Sequence, residues 1–173
     1  LKLDKKELEM KTTFSYPKWA EIPNIDLYLD QVLLYVNQVC APISPDKDKG
    51  LTASMVNNYV KHGYLTKPDK KKYQRQQIAR LIAITTLKSV FSIQEIAQTL
   101  NTLQTQASSD QLYDAFVDYM NQGIDPDNPI IQTSCQTVKL YHQTLDLIDH
   151  TQEEAIQWTL VLNSANNSVS ERR

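Results

Sequence analysis

From Arg75 the chain reads RQQIARLIAITTLKSV, and Ile78, Leu81, Ile82, Ala83, Ile84 and Leu87 cover more than one face of the helix that this spacing predicts. A helix that is apolar on several sides is stable in water only when other elements surround it. The segment is therefore expected to be central and buried. Glycine occurs only three times in 173 residues, and hydrophobic residues make up 41%. Sandwiches and barrels spend more glycine on their turns, so the expected fold is mainly α, with a single domain or two small ones.

Helices on either side follow from periodicity and caps. PNIDLYLDQVLLYVNQVC carries Leu27, Leu29, Val32, Leu33, Val36 and Val39 at helical spacing, opening near Asn24 as N-cap. APISPDKDKG, with Asp46 and Asp48, is a loop. Thr52 caps a short helix over 53–62 that ends at Gly63 in the position that closes helices. Val56 and Tyr59 face inward there, with Met55 and Val60 at the edges and Ser54, Asn57, Asn58 and Lys61 outside. Pro68-Asp69 is a turn signal, and Tyr64-Leu65 with Lys72-Tyr73 are expected as the two short strands of a hairpin around it. Ser92-Ile93-Gln94-Glu95 is a capping box that opens a helix through about Leu103. DQLYDAFVDYMNQ forms another helix that stops at Gly123. From about Pro129 to Asn163, Cys135, Val138, Tyr141, Leu145, Ile148, Ala155, Thr159 and Leu162 recur at roughly 3.5-residue spacing. Thr151 to Glu154 is a second possible capping box, so a kink or restart near His150 is expected. NSANNSVSERR is expected as a polar tail.

Charge is unevenly distributed. The net charge is −2, but residues 51–80 hold seven Lys and Arg (Lys61, Lys67, Lys70, Lys71, Lys72, Arg75, Arg80) against Asp69 alone, whereas residues 81–173 hold four against eleven acids. A basic island on several elements of an acidic chain is a local electrostatic footprint. A short helix with small polar outward residues, followed by a lysine-rich turn, suits a duplex. Side chains such as asparagine read base edges in the major groove, and lysines neutralise adjacent phosphates.

The stretch LTASMVNNYVKHGYL…KKKYQRQQIARLIAITTLKSVFSIQEI resembles the DNA-binding domain of MerR-type transcription regulators. Tyr59, Lys61, Gly63, Tyr73, Ile78, Leu81, Leu87, Phe91, Ser92, Glu95 and Ile96 match its pattern. Residues 16–104 are most similar to an uncharacterised bacterial family of unknown function that carries this MerR-like region. The resemblance implies a winged helix-turn-helix with a small β-hairpin wing over 64–73, a recognition helix over 53–62, and additional C-terminal helices over 108–165, with tails at 1–15 and 164–173. It implies a regulator of transcription that binds double-stranded DNA, with the C-terminal helix either pairing two copies as a homodimer or packing through Val138, Tyr141, Leu145 and Ile148 on the helix over 110–121 within one chain. It names neither operator nor effector ligand. The expected DNA-binding residues are Ser54, Asn57, Asn58, Lys61, Lys67, Lys70, Lys71, Lys72, Tyr73, Arg75 and Arg80. For Tyr73 the alternative is a core ring with a wet hydroxyl.

The alternative function is a protein-protein interaction module that keeps the winged fold without DNA binding, its acidic C-terminal part meeting a basic partner. Catalysis is not expected. Asp146, Asp149, His150 and Glu153 share one helix region without a phosphate loop or nucleophile elbow elsewhere. Nor is a metal or cofactor expected. Cys40 and Cys135 stand far apart, no paired-histidine spacing occurs, and Asp125, Asp127 and Asn128 lack the length and terminal Glu of a calcium loop. With two free thiols, no leader and no 18-residue apolar run, the expected setting is the cytoplasm, without a membrane span.

Overall fold

A computed structural model of the chain describes residues 13–43 and 50–170, with side chains as far as residue 165. Among these residues are six α-helices: α1 (Leu29–Val39), α2 (Ala53–Lys61), α3 (Arg75–Leu87), α4 (Ile93–Gln104), α5 (Ser109–Gln122) and α6 (Pro129–Ser170). The two-residue strands β1 (Leu27–Tyr28) and β2 (Lys72–Tyr73) form one antiparallel sheet. The fold is mainly α.

The apolar segment behaves as its composition demands. Nine of the thirteen residues of α3 are buried, and α1, α4, α5 and α6 all pack on it. Ile78, Leu81, Ile82 and Ile84 are completely enclosed. Each such side chain contributes about 1.5–3 kcal/mol of burial free energy, so α3 is the axis of the core.

The start of α1 differs from the periodicity reading. The helix opens at Leu29, not near Asn24, because Leu27 and Tyr28 pair in register with Tyr73 and Lys72. Leu27 is buried all the same; it reaches the core from a strand. The backbone N–H of Tyr28 donates to Gln31 Oε1 at 3.0 Å, which closes the first turn.

Part of the connection from α1 to α2, including Asp46 and Asp48, lies outside the described residues. What fixes α2 against α1 is Asn37. Its Nδ2 donates to the Leu51 carbonyl at 2.9 Å, and its Oδ1 accepts from the Leu51 N–H at 2.7 Å. A Cβ on Gly50 would fall 2.7 Å from Asn37 Oδ1, so the glycine is what lets the loop approach that amide.

A second asparagine does the same job at the other end. Asn121 on α5 accepts from the Tyr16 N–H at 2.8 Å and donates to its carbonyl at 2.9 Å. Residues 13–15 were expected in a tail, yet Phe14 is buried, stacks on Tyr16 and meets the edge of His142. Tyr16 Oη lies 2.9 Å from Thr86 Oγ1 on α3. One continuous core runs from this N-terminal segment through α1, α3 and α5 into α6.

α6 is a single helix from Pro129 to Ser170, with neither a restart near His150 nor an end at Asn163. Ile131, Cys135, Val138 and His142 are buried. From Leu147 to Ala165 the side chains are exposed, Ile148 at 48% and Trp158 at 68%. The 24 residues from Leu147 to the end of this helix at Ser170 span about 36 Å at 1.5 Å per residue.

Candidate nucleic-acid interface

α2 is built as its sequence predicts. Thr52 Oγ1 accepts from the Met55 N–H at 3.2 Å at the start. At the end Gly63 takes φ +74°, Tyr64 N–H reaches the Tyr59 carbonyl at 2.9 Å, and Gly63 N–H reaches that of Val60 at 3.2 Å. Two bonds closed over one left-handed residue stop the helix sharply. Val56 and Tyr59 are buried, Met55 and Val60 half-buried, and Ser54, Asn57, Asn58 and Lys61 exposed. The polar face of α2 is thus free to meet a partner.

The basic turn differs from the expected hairpin. Tyr64 and Leu65 form no strand; both N–H groups bond to the Tyr59 carbonyl. The partner of Lys72-Tyr73 is β1, 45 residues earlier in the chain. The reversal is a tight turn over Asp69–Lys72, one step past the Pro68-Asp69 signal. Lys72 N–H donates to the Asp69 carbonyl at 2.8 Å. Lys70 and Lys71 have φ of +46° and +65°. Two successive left-handed residues make the tight turn that matches strand twist, normally filled by Asn-Gly. Lysine there costs about 1–2 kcal/mol per residue.

Of the eleven residues expected to touch DNA, Ser54, Asn57, Asn58, Lys61, Lys67, Lys70 and Lys71 are exposed and Lys72 is half-buried. No described carboxylate pairs with Lys61, Lys67, Lys70 or Lys71. Lys72 Nζ sits 5.1 Å from the centroid of the exposed Tyr28 ring. Tyr28 gave no signal in the sequence, because only the β1–β2 pairing brings it beside the turn.

The other three residues turn inward. Tyr73 is 3% exposed and pairs opposite Leu27, so its ring belongs to the core. Arg75 Nε donates to the Ile22 carbonyl at 3.1 Å. Arg80 Nε donates to the Tyr64 carbonyl at 2.7 Å, and Nη2 to Asn101 Oδ1 at 3.0 Å. Gln77 Nε2 donates to the Thr66 carbonyl at 2.9 Å. α3 therefore fastens the segment between α2 and the turn at two points.

The remaining chemistry-bearing groups lie apart. His150 Nε2 is 3.4 Å from Glu154 Oε1 on the exposed part of α6, where Asp149 and Glu153 are also exposed. Asn128 caps α6 by accepting from Ile130 N–H at 2.9 Å, and Asp125 accepts from Gln132 at 2.9 Å. Among the described residues no three His, Cys, Asp or Glu side chains gather to hold a metal ion. Cys40 and Cys135 are buried, and burial pushes both thiols up to about 12. Among the described residues, no helix is long and apolar enough to cross a membrane.

Comparison with curated proteins and comparison with solved structures returned no match. Residues 17–116, more than half of the chain and ending within α5, match the model of a family described as a domain of unknown function (DUF1836), and the chain belongs to that family.

Proposed function

We propose that the protein is a DNA-binding transcription regulator of the winged helix-turn-helix kind, with α2 in the major groove and the turn Asp69–Lys72 on the neighbouring phosphates. One observation carries this reading. Lys61, Lys67, Lys70 and Lys71 stand exposed, without a described acidic partner, beside a helix whose outward face is Ser54, Asn57 and Asn58. Two of these lysines are kept in backbone conformations that suit them poorly, and such strain tends to persist where function needs it. The sequence resemblance to MerR-type regulators points the same way. Asn57 and Asn58 are the candidates for paired hydrogen bonds to adenine, with Ser54 beside them. The lysines supply charge. Tyr73 anchors the strand that leaves the turn, Arg80 ties the end of α2 to α3, and Arg75 holds the Ile22 carbonyl. A cytoplasmic location goes with this reading.

Dimerisation through α6 is part of the proposal. Leu145, Ile148, Ala155, Thr159 and Leu162 keep a 3.5-residue spacing along the projecting length, where Ile148 and Leu162 are exposed. A second copy would cover that stripe.

The test is a fluorescence-anisotropy titration of a duplex of arbitrary sequence against salt. Replacing Lys70 and Lys71 by Gln should lower the slope of log affinity against log salt by about 2, near 0.9 per phosphate contact. Asn57→Ala should leave the slope unchanged and reduce sequence preference. Absence of binding at about 50 mM salt would defeat the reading. It would favour the interaction module, for which α6 offers Asp146, Asp149, Glu153 and Glu154 with no Lys or Arg between Lys139 and Arg172.

A further inference from the structure

A cavity of about 80 Å³ opens between α3, α4, α5 and α6. Ala83 and Leu87 line it from α3, Leu100 and Leu103 from α4, Phe116 from α5 and Ile131 from α6. Among its lining residues a single side chain is charged, and that is Arg80.

The surroundings of Arg80 are unusual for a cation. Guanidinium carries five N–H donors. Two are used, on the Tyr64 carbonyl and on Asn101 Oδ1, and both acceptors are neutral. No described carboxylate pairs with it. Burial disfavours its charge, and a half-buried charge without a counter-ion is a standing cost. Arg80 lines the cavity, and its bond to Asn101 lies at the exposed surface.

We propose that this cavity binds a small monocarboxylate with a short apolar tail, the tail among the leucines and the carboxylate on the free donors of Arg80. Apolar walls favour the tail, and a planar guanidinium matches a carboxylate with two parallel hydrogen bonds. The site is tied to α2. Arg80 Nε already holds the Tyr64 carbonyl, whose own N–H closes the end of α2. A ligand that draws on Arg80 therefore acts at the joint between α2 and the basic turn. Only that regulatory consequence rests on the DNA-binding reading; ligand binding does not.

The full chain is titrated with hexanoate and, separately, with hexanamide, without DNA, following amide chemical shifts. Hexanoate should bind at least about tenfold more tightly than its neutral counterpart, with shifts at Tyr64 and Leu65 as well as in α3 and α4. Arg80→Gln should remove the preference for the acid and leave hexanamide binding unchanged. Ala83→Ile, which fills the cavity without touching the guanidinium bonds, should abolish binding of both, its melting curve confirming that it folds. Equal affinity for acid and amide, hexanoate binding that survives in Ala83→Ile, or no shift at about 10 mM hexanoate would each overturn the proposal. A chain that binds hexanoate but no duplex would refute the DNA reading alone, so the two fail separately.

Discussion

Two asparagines, Asn37 and Asn121, each give one hydrogen bond to a distant backbone residue and take one back. A primary amide is the shortest side chain that can imitate a strand partner in this way. Substitution at Gly50 tests the first clamp. Gly50→Ala drives a Cβ into Asn37 Oδ1, and moving that amide breaks both bonds to Leu51. The expected loss is about 1–2 kcal/mol, read as a lower urea midpoint. An unchanged midpoint would show that Asn37 can yield freely. Tyr59 presents the opposite case. Its hydroxyl is buried without a hydrogen-bond partner, so Tyr59→Phe should be neutral or stabilising by up to about 1 kcal/mol. A clear loss of stability would mean that the hydroxyl has a partner after all. The caps at Thr52 and Ser92 were legible in the sequence because donor and acceptor lie three residues apart. Nothing local marks Asn121 as the partner of Tyr16, 105 positions away.

Helices proved easier to read than strands at the scale of elements. A helix makes its hydrogen bonds within itself, so its periodicity and caps contain most of what is needed. A two-residue strand takes its identity from its neighbour, and Lys72-Tyr73 had two candidate neighbours, Tyr64-Leu65 and Leu27-Tyr28. The cap of α2 consumed the N–H groups of the first pair, which left the second. The turn that results is strained at Lys70 and Lys71. Lys71→Gly should relieve one left-handed residue and raise stability by up to about 1 kcal/mol, after the extra entropy of glycine in the unfolded chain. The same variant should weaken duplex binding if the lysine meets a phosphate. Thermal melting and the salt titration measure the two effects independently, and a stability loss would count against the strain argument. α6 shows the reverse limit. Its capping-like Thr151–Glu154 suggested a break, but consecutive residues that can all remain helical have no reason to break where no other element intrudes.

At the scale of the whole molecule, the core holds a histidine. His142 is 5% exposed, with Nε2 at 3.2 Å from Ser89 Oγ. Burial lowers its pKa, and Asp146 opposes this in part. The neutral imidazole is therefore the folded form. Below about 6.5, the unfolded value, the unfolded chain takes a proton that the folded chain resists, and stability falls with pH. Full stability is present above that value. Urea midpoints at about pH 7 and pH 5.5 should separate the native chain from His142→Gln, the variant losing less over the interval. Equal losses would assign the effect to other groups. Solution mass tests the proposed assembly. A dimer that becomes a monomer in Ile148→Glu would support pairing through α6, and a native monomer would remove it.

Composition and periodicity by themselves determined the mainly helical fold, the buried axis α3, the inward and outward faces of α2 and the position of the basic island. These depend on which residues share a helix face, and helix geometry makes that a function of spacing alone. Tertiary structure decided which strand meets Lys72-Tyr73, that Tyr73 lies in the core, and that Arg75 and Arg80 turn inward to the Ile22 and Tyr64 carbonyls. It also decided that Phe14 belongs to the core and that a cavity forms beside Arg80. Each of these depends on groups far apart in the chain, whose meeting is set by how the helices close around α3.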